Sequence, residues 1–80
     1  MLIFERLLKV FKNFELTDID TSGITMDTTL MGDLGISSIE FVMMACDIEK
    51  EFGIEIEFSV IPRIVTVGDS CRYIEELLKK

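Results

Sequence analysis

Apolar residues recur at spacings of three and four in three separate stretches of this chain, and this helical period constrains the fold most. The stretches are Leu2–Phe14, Ser38–Phe52 and Val67–Lys80. The segment Ile54–Phe58 alternates apolar and polar residues like a β-strand, but the chain has no second such segment to pair with it. We therefore expect an all-α fold in which Ile54–Phe58 is an extended loop.

Short local signals mark where these helices begin and end. Ser37 and Glu40 match the capping-box pattern before the central helix, and Gly53 is a natural left-handed stop after it. Thr66 and Asp69 repeat the capping-box pattern before the last helix. These signals predict a central helix over residues 38–52 and a last helix that begins at residue 67.

Two further segments complete the predicted architecture. Pro62 restricts Phe58–Ile64 to one short helical turn, and Leu16–Met31, rich in Thr, Asp, Ser and Gly, predicts a long loop. Apolar residues should anchor this loop to the core; they are Ile19, Ile24, Met26 and Leu30. The predicted fold is a small four-helix bundle of three main helices, one short helix and a long first loop, forming one domain over residues 1–80.

Charge and length exclude several classes of function. The 80 residues carry a net charge of −7, which disfavours nucleic acid and anionic membranes and favours partners with basic surfaces. The longest apolar run is the six residues Phe41–Cys46, far short of a bilayer span, so we expect no stable membrane insertion and no signal peptide. Cys46 and Cys71 are far apart in helical segments, which predicts free buried thiols and a cytoplasmic protein.

The chain contains no histidine, which removes the commonest general base and the commonest transition-metal ligand. Ser38 as a catalytic nucleophile would need another base, and neither a Gly-x-Ser-x-Gly elbow nor a Ser-x-x-Lys pair is present. These absences argue against an enzyme and predict no metal centre.

The central helix carries two apolar stripes. The first stripe comprises Phe41, Met44, Ala45, Ile48 and Phe52, and the second stripe comprises Ile39, Val42, Met43 and Cys46. Because a domain of this size can hardly cover both, we infer that one stripe stays partly exposed as a docking surface, rimmed by Glu40, Asp47 and Glu49. The alternative is a central helix that is buried on most sides.

Two short segments suggest binding sites. Asp18–Gly23 opens like an EF-hand calcium loop, but the match fails at Thr29, which stands where the closing glutamate belongs, and ordinary turn chemistry is the favoured interpretation of the segment. Asp33–Ile39 places Ser37 as the N-cap of the central helix and leaves the Ser38 hydroxyl free. A phosphodiester on Ser38 would lie at the positive end of that helix, although both serines could simply start the helix.

The segment Asp33-Leu34-Gly35-Ile36-Ser37-Ser38-Ile39 resembles the attachment motif of the acyl carrier proteins, which reads Asp-Leu-Gly-x-Asp-Ser-Leu. The likeness continues over residues 30–78 at matching spacing. The resemblance implies that Ser38 receives 4'-phosphopantetheine from coenzyme A through a separate Mg²⁺-dependent phosphopantetheinyl transferase. The arm would carry acyl groups as thioesters to acyl-transferring, elongating or modifying enzymes, and the protein itself would catalyse nothing.

The resemblance also implies a docking face on the central helix for enzymes with basic patches. Together with the acidic rim, its positions are Ile39, Glu40, Val42, Met43, Cys46, Asp47, Glu49 and Lys50. Ser37, Met43 and Lys50 depart from the acidic residues common in fatty-acid-synthesis carriers, which leaves polyketide, peptide or modified-lipid synthesis open. We expect a monomer in isolation. The alternatives are an unmodified helical interaction module and a calcium-binding domain.

Overall fold

A computed structural model describes residues 2–14 and 19–79, and its helices follow the predicted order. They are α1 (Ile3–Asn13), α2 (Ser38–Phe52), a 3-10 helix (Phe58–Arg63) and α3 (Val67–Leu78). Within the described residues, the β-type pairing is an isolated antiparallel bridge between Thr29 and Thr66. The predicted all-α architecture of three main helices and one short helix is confirmed.

The capping signals act as predicted at the starts of α2 and α3. The Ser37 hydroxyl accepts a hydrogen bond from the Glu40 amide while the Glu40 carboxylate accepts one from the Ser37 amide, and Thr66 and Asp69 repeat this exchange before α3. Gly53 ends α2 in the left-handed conformation. These three boundaries therefore follow from residues within one turn of each.

The core lies where α1 packs against both α2 and α3. Leu7 and Phe11 of α1, Met44 of α2, and Val67 and Ile74 of α3 are almost wholly buried. Burying side chains of this size stabilises the fold by roughly 1.5 to 3 kcal/mol each, which an 80-residue chain needs to offset its ordering entropy.

Arg6 ties α1 to the carboxyl end of α2. Its Nε lies 3.0 Å from Glu51 Oε2, its Nη2 donates to the Glu51 carbonyl, and its guanidinium carbon lies 4.4 Å from the centroid of the Phe52 ring. The carbonyls at a helix end lack intrahelical partners, so this arginine caps α2 as well as pairing with it.

The long loop packs on the core through three of its four predicted anchors. Ile19, Ile24 and Leu30 are buried, whereas Met26 is 42% exposed, so the prediction for Met26 is wrong. Met26 meets α3 through its backbone, because its carbonyl accepts a hydrogen bond from the Gly68 amide at 2.8 Å. Its side chain is therefore free to extend into solvent.

The two cysteines are free thiols, as predicted, but only Cys71 is buried. Burial raises the pKa of the Cys71 thiol. Cys46 is exposed because it belongs to the second stripe of α2, which faces away from the core. The prediction that this thiol is buried is therefore wrong. In the part of the chain that the structure describes, each helix is too short or too polar to cross a bilayer.

Asp69 makes the start of α3 sensitive to acid. Its carboxylate accepts hydrogen bonds from the Thr66 and Val65 amides, each at 3.0 Å, and Arg72 lies 2.6 Å away. The bond from Thr66 and then the bond from Val65 lower the pKa of Asp69 to about 2. Because folding lowers this pKa, the Asp69 carboxylate stabilises the folded state at pH values above its ordinary pKa of 3.8. That contribution is lost as the pH falls through about 2.

We expect Asp69→Asn to lower the free energy of unfolding at neutral pH by on the order of 1 kcal/mol. The variant should also lose less stability than the unmutated protein when the pH is lowered from about 4 to about 2. The effect is modest because 31% of the Asp69 side chain is exposed and solvent screens its charge. Urea unfolding at both ends of this range measures it. Asp27→Asn is the control, since Asp27 is exposed and its carboxylate has no hydrogen bond within the described residues. Equal acid sensitivity in Asp69→Asn and the unmutated protein would contradict the assignment.

Candidate functional site

The turn that precedes α2 separates the roles of its two serines. Ser37 is the N-cap residue: its Oγ accepts from the Glu40 amide at 3.1 Å, and its amide donates to Glu40 Oε1 at 2.9 Å. The Ser37 hydroxyl is thus engaged in starting the helix, as predicted.

Ser38 is the first residue of α2 and is exposed. Its hydroxyl makes no hydrogen bond to residues 2–14 or 19–79. Because the amino end of a helix has unpaired amides and partial positive charge, an anion there is favoured by about 0.3 to 1 kcal/mol. The site therefore fits a phosphate group attached to Ser38 Oγ.

The remaining motif residues shape the loop that delivers Ser38. Gly35 has a φ of 69°, a backbone conformation that residues with a Cβ rarely adopt. Ile36 is buried and fixes the loop to the core, while Leu34 is half-buried beside it. The Asp33 carboxylate accepts a hydrogen bond from the Thr29 amide at 2.9 Å, so it helps to organise the loop.

Comparison with known proteins decides the family. The family model described as the phosphopantetheine attachment site matches residues 14–74. The acyl carrier protein of Thermotoga maritima is 34% identical over 76 residues, which cover 95% of this chain and 91% of that protein. The acyl carrier protein of Helicobacter acinonychis is also 34% identical over 76 residues, covering 95% of each chain. This chain belongs to the acyl carrier protein family.

The family resemblance inferred from the attachment motif is confirmed. The protein is an acyl carrier rather than an enzyme, and its cofactor is phosphopantetheine. Membership also implies interaction with biosynthetic enzymes and with a transferase that attaches the cofactor.

The structure distinguishes the two apolar stripes of this carrier's α2. The first stripe is buried throughout, whereas Ile39 is 73% exposed, Met43 is 48% exposed, and Val42 and Cys46 are also exposed. The inference that one stripe stays partly exposed is confirmed, and the alternative of a helix buried on most sides is wrong. Ser38 lies beside this stripe because residues three or four apart are neighbours on a helix.

Two acids of the predicted rim bond within the carrier itself. The Glu40 carboxylate completes the capping box, and Glu49 Oε2 accepts from the Ile56 amide at 2.7 Å in the loop after α2. Both side chains are half-buried, whereas Asp47 and Lys50 are exposed. The charges most accessible to another molecule on this side of α2 are therefore those of Asp47 and Lys50.

The segment that resembles a calcium loop contains an ordinary turn. Asp20 Oδ1 accepts from the Ser22 amide at 3.0 Å and from its hydroxyl at 2.7 Å, which lowers the pKa of Asp20. Asp18, the first position of the supposed loop, lies outside the described residues. Within the ranges 2–14 and 19–79, no group of three or more acidic, histidine or cysteine side chains is placed to hold a metal ion.

Thr29 contributes to the site although the sequence analysis did not select it as a functional residue. Its side chain and backbone bond to Asp33, four residues later. The sequence signal that could have identified Thr29 is a threonine four residues before an aspartate. This signal is weak because such pairs occur in many loops.

Proposed function

We propose that Ser38 is the residue that carries the 4'-phosphopantetheine arm, delivered from coenzyme A by a separate Mg²⁺-dependent phosphopantetheinyl transferase. The observation that supports this most directly is the exposed Ser38 hydroxyl at the amino end of α2, which makes no hydrogen bond to the described residues and lies next to a Ser37 hydroxyl that is engaged as the cap. The arm supplies a terminal thiol that holds acyl groups as thioesters.

The chain's own part in this function is to hold and present the arm. The amino end of α2 favours the phosphate through its amides and partial positive charge. Because the arm is tethered, its thiol reaches a docked enzyme at a high effective concentration without a new binding event. The capping box keeps α2 regular from its first residue, so the tether begins at a defined point.

We place the docking face for partner enzymes on the exposed side of α2. It comprises Ile39, Val42, Met43, Cys46, Asp47 and Lys50, with Glu40 and Glu49 at its margins. Exposed apolar side chains supply contact area, and the acidic surface of the chain steers enzymes that have basic patches. Docking of this kind weakens as salt rises.

The chemistry of this face bears on which pathway the carrier serves. Met43 and Lys50 make it more apolar and less acidic than the corresponding face of fatty-acid-synthesis carriers, and Ser37 replaces the usual aspartate. Fatty acid, polyketide, peptide and modified-lipid synthesis are the pathways in which such a carrier would act. We also propose a single carrier domain over residues 1–80, monomeric in isolation and cytoplasmic, where a reducing environment keeps the exposed Cys46 thiol free.

The direct test is the intact mass of the unmodified protein after incubation with coenzyme A, Mg²⁺ and a broad-specificity phosphopantetheinyl transferase. We expect a gain of one phosphopantetheine per chain, and proteolytic mapping should assign it to the peptide that contains Ser38. A folded protein that gains no mass with two different transferases would contradict the proposal and favour an interaction module.

A further inference from the structure

A small cavity is lined by α2, by α3 and by the chain that connects them. Its volume is about 10 Å³, which is room for about one water molecule. Helix α2 contributes Phe41, Ala45 and Ile48, the connecting chain contributes three isoleucines, and α3 contributes Ser70, Tyr73 and Ile74. The side chains around the cavity are therefore hydrocarbon except for the hydroxyl groups of Ser70 and Tyr73.

The Ser70 hydroxyl is buried without a good hydrogen-bond partner. The residue is 3% exposed, and within the described residues its hydroxyl bonds to the Thr66 carbonyl at 3.5 Å. Bonds between a hydroxyl and an oxygen are normally about 2.5 to 3.0 Å long. The same carbonyl also accepts from the Ser70 amide at 3.2 Å. Because a buried hydroxyl destabilises a fold unless it is well bonded, Ser70 has a hydrogen bond to offer to a guest in the cavity.

The second hydroxyl of the lining is already engaged. The Tyr73 hydroxyl accepts a hydrogen bond from the Glu57 amide at 3.2 Å and so holds the loop after α2. Ser70 is therefore the lining residue whose polarity the fold leaves unexplained.

The cavity lies along α2 from the proposed attachment residue. Positions 38, 41, 45 and 48 are spaced three or four apart, so they form one row that runs from the exposed Ser38 to the buried cavity wall. An arm on Ser38 that folds back along this row brings its acyl chain to the cavity. The hydrocarbon part of such a chain is stabilised by leaving water for this lining.

One wall of the cavity is formed by short elements. Ile61 is the buried residue of the six-residue 3-10 helix. The loop before it is tied by hydrogen bonds from the Ile56 amide to Glu49 and from the Glu57 amide to Tyr73. Segments with few buried side chains open at lower free energy than core helices, so movement of this wall admits a chain larger than a water molecule.

We propose that Ser70 is a specificity-determining residue whose hydroxyl donates to a keto oxygen on the carried acyl chain. The carrier then favours chains that keep a keto oxygen over fully reduced hydrocarbon chains. The inference rests on the proposed arm on Ser38 and deepens that function by naming the class of acyl group. A keto oxygen supplies the acceptor that Ser70 lacks, whereas a hydrocarbon chain leaves the hydroxyl poorly bonded.

The test is a double-mutant cycle on the loaded protein. The unmutated protein and Ser70→Ala each receive octanoyl, 3-oxo-, 5-oxo- or 7-oxooctanoyl phosphopantetheine from the matching acyl-coenzyme A through the transferase. Urea unfolding gives the unfolding equilibrium constant of each form. We expect Ser70→Ala to raise this constant about five-fold more for the keto chain whose oxygen reaches Ser70 than for octanoyl. The cost of removing the keto oxygen from water cancels, since it is the same in both proteins.

Ser59→Ala is the matched control, because Ser59 lies in the 3-10 helix but is exposed. It should change the constants of the keto and octanoyl forms equally. If Ser70→Ala affects all the keto forms and the octanoyl form alike, or if Ser59→Ala reproduces the difference, the role of Ser70 is overturned.

The unmodified protein supplies a second measurement. Unmodified Ser70→Ala should unfold no more readily than the unmutated protein, because alanine favours a helix and leaves no hydroxyl buried. A higher unfolding constant for this variant would mean that the hydroxyl serves the fold and would also overturn the proposal. Failure of the Ser38 assignment is distinguished by mass analysis, which would show no loading or loading at another residue.

Discussion

Ser38→Ala is expected to abolish attachment of phosphopantetheine completely, because the substitution removes the oxygen that forms the phosphodiester. Alanine is well tolerated in the first turn of a helix, and Ser38 Oγ makes no hydrogen bond within the described residues, so the fold should be retained. The measurement is the intact mass after incubation with coenzyme A, Mg²⁺ and the transferase, beside the circular dichroism of the same sample.

Ser37→Ala is the matched control, since it removes the same hydroxyl oxygen from the neighbouring serine. It removes the N-cap bond to the Glu40 amide and should lower the free energy of unfolding by about 1 kcal/mol, or the melting temperature by about 4 to 8 °C. The mass gain should nevertheless remain. A full gain in Ser38→Ala, or its loss in a folded Ser37→Ala protein, would assign the attachment to a different residue from the one proposed.

Met43→Ala is expected to lower kcat/KM for modification by the transferase by about ten-fold, because it removes an apolar side chain from the middle of the proposed docking face. Met43 is 48% exposed, so its loss should alter the stability of α2 little. It lies five residues beyond Ser38, and the substitution therefore leaves the attachment turn itself unchanged. The change should appear mainly in KM for the carrier.

Met26→Ala supplies the comparison for this prediction. Met26 is 42% exposed, close to the value for Met43, but it lies in the long loop beside Gly68 of α3. The same truncation there should leave kcat/KM within about two-fold of the unmutated value. Equal effects of the two substitutions, or no effect of Met43→Ala at low salt, would contradict the placement of the docking face on α2.

The two ends of α2 and the start of α3 could be predicted because the groups that determine them are close together in sequence. Ser37 with Glu40, and Thr66 with Asp69, complete their hydrogen bonds within one helical turn, and Gly53 ends α2 through its own backbone. The attachment motif is equally local, which is why the family could be inferred before the fold was known.

Other features depend on residues that meet only after folding. The sequence could not determine which stripe of α2 faces the core, because that choice depends on how α1, α3 and the 3-10 helix pack around it. The same reason explains the two corrections: Cys46 lies on the outward stripe, and Met26 contacts α3 with its backbone instead of burying its side chain. The hydrogen bond from the Ile56 amide to the Glu49 carboxylate likewise could not be predicted, because it depends on the path of the loop after α2.

The sequence by itself therefore determined where the helices begin and end, the family, and the serine proposed to carry the cofactor, since each depends on a few neighbouring residues. Tertiary structure decided which apolar side chains remain accessible to a partner and how the attachment turn is held. Thr29 is the clearest case, because it is fixed by a bridge to Thr66 that joins two distant segments. Packing of the folded chain brings such distant segments together, and no local sequence pattern specifies which segments will meet.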